Sequence, residues 1–211
     1  KIQKEDLEAQ KTVLEEVNKD VMDSIKYAQR IQDAMLKSKE NIGNYIPPHF
    51  LLYKPKNVVS GDFYWYAEKK GFLYMAVADC TGHGVPGAFV SMIGNNLLNQ
   101  IVLEENNDDT GTILTLLNNG MKDVFTRDAE QEAQDGMDMS LLKFDRDESN
   151  QELRSVQFSG AHNPLYIVRK GIIDSGFCEQ NGFRSFAEDL GEWKGDKTPI
   201  GGESVEGYQF A

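Results

Sequence analysis

Cysteine, histidine, positive charge and long apolar runs are all scarce in this chain, and each shortage excludes something. Two cysteines in 211 residues, Cys80 and Cys178, make neither a disulfide framework nor a paired-cysteine zinc spacing. A reducing, cytoplasmic setting is expected. No stretch reaches the roughly 18 apolar residues of a transmembrane helix, and no signal peptide opens the chain. The expectation is no direct membrane contact in this piece, which also suits the cytoplasmic part of a membrane-bound sensor. The first residue already lies in a helical pattern, as if cut from something longer. Lys and Arg number 22 against 34 Asp and Glu, a formal net charge of -12. That excludes a nucleic-acid partner, whose phosphates want cations, and an anionic membrane surface. It leaves divalent metals, which want oxygen ligands. With 40% hydrophobic residues the chain is globular.

Residues 1–42 read as a helical linker. The first 40 positions contain no Gly and no Pro and are rich in Glu, Lys, Gln and Ala. Leu7, Leu14, Val21, Ala28 and Met35 recur every seven residues, with Val17 and Ile31 at the second seam position and Gln10 and Ser24 interrupting it. Such a repeat fits a dimerising coiled coil or a single amphipathic helix lying on its own domain. The first is the reading taken. The weak seam suits a helix that switches register. Gly43 and "IPP" at 46–48 end it.

From residue 49 the period changes, and 49–211 reads as a second domain. "FLLYKP" and "DFYWYAEK" predict strands, "KKG" a turn, and "FLYMAVADC" a buried strand. Pro86 suits a first helical turn, with Phe89, Val90, Ile93, Leu97 and Ile101 as the apolar face. A second helix fits 112–127. "MDMSLLKFD", "LRSVQFSG" and "PLYIVRKG" follow as strands. This order implies an α+β fold, with largely antiparallel sheets covered by helices. Residues 175–196 show no clear period and read as a long loop. The acidic run "EENNDD" at 104–109 reads as a solvated loop.

The stretch "VVSGDFYWYAEKKGFLYMAVADCTGHGVPGAFVS" raises the question of chemistry. A buried strand ends on Asp79 and breaks into glycine. The strand fixes the carboxylate, and the glycines allow unusual φ values and close approach of a ligand. The helix begun at Pro86 aims its first amides at the same loop, a favourable place for a phosphate oxygen. Asp62, after Gly61 on a neighbouring strand, brings a second carboxylate. Two carboxylates stay ionised together most easily around a divalent cation, and hard oxygens suit Mg²⁺ or Mn²⁺. Metal plus anion pocket suggests phosphoryl chemistry. The bland alternative is a strand-to-helix turn.

"SGDFYWY", "VADCTGHGVPGAFVS" and "FSGAHNPLYIVRKG", in this order, resemble the stage II sporulation protein E-type serine/threonine phosphatases, within the metal-dependent, protein phosphatase 2C-like group. The resemblance implies a central β-sandwich flanked by helices, often after a helical linker. It implies two Mn²⁺ or Mg²⁺ ions that activate a water for direct attack on phosphoserine or phosphothreonine. By position, Asp79 matches the metal-bridging aspartate. Asp62 matches the acidic residue of a "GGDFYD"-like motif, and the Cys80 carbonyl matches the main-chain ligand. Gly82, His83 and Gly84 shape the phosphate-binding loop. The family's remaining metal aspartates, in a "TDG"-like strand end and a terminal "DD" or "DN" strand, fall after "GYQFA". On this resemblance the domain is C-terminally incomplete and the fragment catalyses poorly. Asp138 of "GMDMS" precedes "GAHNP" and matches neither. It reads as a strand residue near the sheet edge, and His162 as a hydrogen-bonding residue at a strand corner. His49 carries no functional signal, and Cys80 has no base to make it a nucleophile. Trp65 is expected in the core and Trp193 in loop packing.

The function expected is a metal-dependent protein phosphatase of a bacterial signalling protein, controlled by its N-terminal helix and dimeric through it. By resemblance its substrate is a phosphorylated protein such as an anti-sigma-factor antagonist. The alternative is a catalytically inactive dimerising module that binds a phosphorylated regulator. A small-molecule phosphohydrolase is a weaker third reading.

Overall fold

The computed structural model describes residues 2–36, 49–126, 135–146, 153–168, 183–185, 190–202 and 207–211. Helix α1 spans Ile2–Met35, as its glycine- and proline-free sequence requires. The stop signals at Gly43 and 46–48, and with them the linker boundary at 42, lie outside the described residues.

Strands β1 (Phe63–Lys69) and β2 (Phe72–Cys80) form an antiparallel hairpin. Its turn residues Lys70 and Gly71 have φ of 52° and 80°, the double left-handed geometry that matches strand twist. Helix α2 (Val85–Leu98) follows, with Pro86 in its first turn, and runs into a π-helical turn at Asn99–Glu104. Helix α3 (Thr110–Thr126) leads to β3 (Gly136–Arg146) and β4 (Leu153–Ala161). After them come β5 (Leu165–Val168), β6 (Phe183–Ser185), β7 (Leu190–Trp193) and β8 (Ile200–Gly201). Among the described residues these strands make two antiparallel sheets. One runs β1-β2-β3-β4 with β8 also on β3, and the other β5-β7-β6. The α+β architecture expected from the sequence is the one observed.

Strand alternation sorts the large sheet into two faces. Phe63, Trp65, Tyr74, Ala76, Ala78, Met137, Met139 and Leu141 share a core with Leu98, Ile101, Val102, Ile113, Leu114, Leu117 and Met121 of the helical layer. The opposite face carries Tyr64 and Tyr66, packed by Leu51, Tyr53 and Met75. Phe158 of β4 meets Trp193 of β7 at 6.0 Å between ring centroids, tying the two sheets together.

Several local expectations need correction. "FLLYKP" forms no strand: residues 50–55 are an irregular strap, with Leu51 and Tyr53 facing Tyr64 and Tyr66. Phe89 is not on the buried face of α2, since 59% of it is exposed. Val90 is on that face as expected, and it is joined there by Leu98 and by Gly87, Ala88, Ser91, Gly94 and Asn95, whose mostly small side chains let other elements approach. Part of the predicted 175–196 loop is strand, and Trp193 lies in β7; residues 175–182 and 186–189 lie outside the described residues. The acidic run is not merely solvated. Asp108 pairs with Lys69 Nζ at 2.8 Å, and the Lys69 side chain is only 8% exposed. Asp109 caps α3, its Oδ1 accepting the Thr112 N–H at 2.8 Å.

Candidate functional site

β1 and β2 bring the two singled-out carboxylates together by register. Phe63 pairs with Ala78, so Asp62, one residue earlier, faces Asp79 across the hairpin. The two carboxyl groups lie within hydrogen-bonding reach, and the Asp62 pKa is raised. The causes are partial loss of water, then the hydrogen bond to Asp79, then its charge. The Tyr53 hydroxyl donates to the Asp62 backbone carbonyl at 3.1 Å and steadies its backbone.

The same register extends further across the sheet. Asp79 pairs directly with Asp138, and Met139 pairs with Ala161, which brings His162 beside Asp138. His162 Nδ1 and Asp138 Oδ1 are 3.0 Å apart. Asp62, Asp79, Asp138 and His162 thus form one row on the sheet face turned away from α2 and α3. Asp138 is not near a sheet edge, as its sequence context suggested. It sits on β3, between β2 and β4. Direct cross-strand partners are invisible until the register is known. The one available signal was the alternation in "GMDMS", which puts Asp138 opposite the buried Met137 and Met139. His162 does sit at a strand corner, with φ of 57° and its N–H donating to the Asp196 carbonyl at 2.7 Å.

The glycine loop is held at its start by paired bonds to β3. The Thr81 N–H donates to the Gly136 carbonyl at 2.9 Å, and the Gly136 N–H donates to Thr81 Oγ1 at 3.0 Å. Gly82 and Gly84 have φ of 81° and 66°, conformations that other residues adopt only under strain. His83 between them is exposed. Gly61 and Gly87 are needed for closeness. A Cβ on Gly61 would lie 3.0 Å from the Gly82 carbonyl oxygen and 3.2 Å from that of Cys80, and one on Gly87 would lie 2.8 Å from the Gly82 oxygen. The Cys80 side chain points into the core. Burial, then the charges of Asp79 and Asp62, push its thiol well above the usual range. It is no nucleophile there.

One residue the sequence gave no reason to select lies behind this site. Gln32 of α1 is 3% exposed. Its Nε2 donates to the Ser60 carbonyl at 2.7 Å and to Ser91 Oγ at 2.9 Å, and its Oε1 accepts the Ser60 N–H at 3.1 Å. Ser60 is two residues before Asp62. Leaving its peptide groups buried and unpaired would cost roughly 1–3 kcal/mol each.

The donors gathered here fit a divalent cation. They are carboxylate and carbonyl oxygens, as Mg²⁺ and Mn²⁺ prefer, and a cation between the facing Asp62 and Asp79 would relieve the repulsion of two carboxylates. Two carboxylates are part of a site. Among the described residues, no three His, Cys, Asp or Glu side chains converge closely enough to hold an ion.

The stage II sporulation protein E (SpoIIE) family model matches residues 69–180, just over half of the chain. The chain belongs to this family. Among solved structures, it is similar to the SiaA-PP2C domain of Pseudomonas aeruginosa, with 29% identity and a TM-score of 0.66. That likeness covers 88% of this chain and 64% of the other, so the SpoIIE-family chain spans under two thirds of that relative's length. Two slighter likenesses are to the RsbU and RsbW domains of Rv1364c from Mycobacterium tuberculosis and to a chain of a bacterial stressosome. The first has 19% identity and a TM-score of 0.40, covering 54% of this chain and 28% of that one. The second has 17% identity and a TM-score of 0.46, covering 74% and 62%. No curated protein sequence matches the chain. The phosphatase 2C-like fold expected from the three motifs is the fold shared with the SiaA-PP2C domain, and the family match makes this a SpoIIE-type domain.

Proposed function

We propose that the chain is the phosphatase domain of a signalling protein, hydrolysing phosphoserine or phosphothreonine on a protein substrate with Mn²⁺ or Mg²⁺, and that α1 regulates it. The observation that carries this reading is the Asp62–Asp79 pair at the mouth of a glycine loop. Asp79, between Asp62 and Asp138 in the row, would hold the metal. Asp62 would hold one of them, directly or through water, and the Cys80 carbonyl would add a main-chain oxygen. When bound, the metal supplies an acidified water and neutralises phosphate oxygens. The chain's own part is to fix these oxygens. Gly82 and Gly84 keep side chains off the loop, and the first turn of α2 presents free amides beside it. His83, exposed on this loop, would hydrogen-bond a phosphate or its water.

The domain division at 42 and 49 and the need for oxygen donors besides Asp62 and Asp79 belong to the same proposal. So do a phosphorylated anti-sigma-factor antagonist as substrate and a homodimer built on α1. Among the described residues no helix is long and apolar enough to cross a membrane.

The test is phosphate release from an aryl phosphate with and without Mn²⁺, using the chain, a C-terminally extended form and Asp79→Asn in each. Activity that requires Mn²⁺ and disappears with Asp79→Asn is the expected result. The absence of a third converging side chain among the described residues favours a second reading, a domain that binds a phosphoprotein without hydrolysing it. Phosphoprotein binding in folded protein that releases no phosphate in any form would establish that reading instead.

A further inference from the structure

His162 stands just past the end of β4, and its imidazole lies against Asp138 of β3, Nδ1 to Oδ1 at 3.0 Å. Both side chains are open to solvent, at 43% and 37%. An exposed polar pair contributes little to stability. Its placement is nonetheless tightly fixed. His162 has a φ of 57°, a conformation uncommon outside glycine. Its N–H donates to the Asp196 carbonyl and the Asp196 N–H donates to the Gly160 carbonyl, both at 2.7 Å, completing a parallel bridge between Ala161 and Asp196. A Cβ on Gly195 would lie 2.7 Å from the Asn163 carbonyl oxygen, so the two segments meet backbone to backbone. Ser140 Oγ of β3 lies 3.3 Å from the carbonyl oxygens of both Asn163 and Pro164. The corner is thus tied to β3 and to Gly195 and Asp196. Backbone strain held by its surroundings in this way concentrates at functional sites.

What the corner fixes is the ring's place relative to the carboxylate pair. Opposed residues of antiparallel strands share a face, and Asp62, Asp79, Asp138 and His162 are successive members of one row. With strands about 4.8 Å apart, the row from Asp79 to His162 spans about 10 Å. The ring closes part of that distance by lying against Asp138. An ionised carboxylate only accepts hydrogen bonds, so Asp138 keeps a hydrogen on Nδ1. Nε2 is left to the site, and among the described residues it has no protein partner. When ionised, the three carboxylates of the row are acceptors only and repel an anion. The imidazole is the one group in the row that can donate. With a hydrogen on each nitrogen it stands between Asp138 and a second anion.

We infer that His162 is a substrate-contacting residue, donating from Nε2 to an oxygen of a phosphoryl group held at Asp62 and Asp79, and that Asp138 is the positioning residue that orients it. The inference rests on the metal-dependent reading above and adds the residues that meet the phosphoryl group itself. The group is held from the Asp62–Asp79 end of the row and from the His162 end. The strained corner sets how far along the row the second hold lies.

The experiment reads binding and needs no turnover. Inorganic phosphate is titrated into the chain with Mg²⁺ present, and the ring signals of its three histidines are followed by nuclear magnetic resonance. His162→Asn assigns the signal and suits the corner, since Asn tolerates left-handed backbone. Asp138→Ala removes the acceptor. Mn²⁺ affinity is measured alongside by electron paramagnetic resonance. The wild-type His162 ring should respond to phosphate, and the His49 ring should not. Each variant should bind phosphate about 10-fold or more weakly, the usual worth of a hydrogen bond to a charged group, with Mn²⁺ affinity unchanged. In Asp138→Ala the His162 ring should also lose its preference for a hydrogen on Nδ1, a change that a merely structural role of Asp138 would not give. Where one variant loses the fold, the other variant and the wild-type ring response decide. Phosphate bound equally by folded variants, or not at all by a wild type that binds Mn²⁺, would overturn the role of His162 and leave the metal reading standing. Weaker Mn²⁺ binding in the variants would make the pair a support of the metal and also overturn it. A wild type that binds no Mn²⁺ would overturn the metal reading and this inference with it.

Discussion

Asp62 and Asp79 illustrate how two carboxyls set close together cost stability. Their carboxyls are brought within hydrogen-bonding reach, and burial together with Asp79 raises the Asp62 pKa. A raised carboxyl pKa means that the folded state binds the proton more tightly than the unfolded one. The associated stability is present below the unfolded value near 3.8 and is lost as pH rises through the raised folded value. Asp62→Asn should therefore raise the melting temperature of the metal-free protein at pH 7, and the gain should vanish as pH is brought below about 4, where wild-type Asp62 is itself protonated. Thermal melts in chelator across that range would check this. A gain that persists at low pH would place the effect elsewhere than in the carboxylate pair. The motif glycines were legible at this scale, because strand-carboxylate-glycine is an unusual run. Asp138 was not, since its meeting with Asp79, 59 residues earlier, and with His162, 24 residues later, depends on the pairing of strands distant in sequence.

Among the elements, α3 shows how an acidic run acquires a structural task. Asp109 caps the helix, with Thr112 N–H at 2.8 Å and Gln157 Nε2 at 2.6 Å on its two oxygens. The Thr112 backbone bond above all, with side-chain bonds from Thr112 and Gln157, holds its pKa below the usual carboxylate range. Asp108 is likewise lowered, chiefly by its bond to Lys69. Here the sign is opposite to that of Asp62. The stabilisation is present above the unfolded value and is lost as pH falls through the lowered folded ones, so acid unfolding should draw on both groups below about pH 4. Asp109→Ala should cost about 1 kcal/mol at neutral pH, the usual worth of such a cap. Urea unfolding at pH 7 and at pH 3 would show the deficit shrinking at the lower pH. The sequence placed this helix to within two residues. It did not assign Asp108 and Asp109, because a run of acids looks the same whether it is solvated or paired.

For the whole molecule, the open question is the far part of α1. Leu7, Leu14, Val17 and Val21 are each at least half exposed, while the residues that meet the domain begin near Ile25. An apolar seam left in solvent along a helix is a surface for another helix. Replacing Leu14 and Val21 by Asp should lower the oligomeric state and change phosphatase activity together, checked by light scattering and phosphate release on the same samples. If neither moves, α1 is not a dimerising regulator. The seven-residue repeat and the domain-facing set lie along one stripe of the helix: Gln32 is 18 residues beyond Leu14, five turns at about 3.6 residues each, so the stripe that meets the domain near Ile25, Ala28 and Gln32 continues as the exposed seam at Leu14 and Val21.

What the sequence determined by itself rests on short-range physics. The absence of glycine and proline made α1 a helix, and the alternation and apolar runs made β1 to β4. The Asp-Cys-Thr-Gly-His-Gly turn after a buried strand, with its neighbouring motifs, pointed to the phosphatase-like fold. The tertiary structure decided which groups face each other. Strand register aligned Asp62, Asp79, Asp138 and His162, and the docking of α1 put the Gln32 amide on Ser60. Those relations depend on pairing and packing between distant segments, and a glutamine in a helix carries no mark of the peptide it will bind.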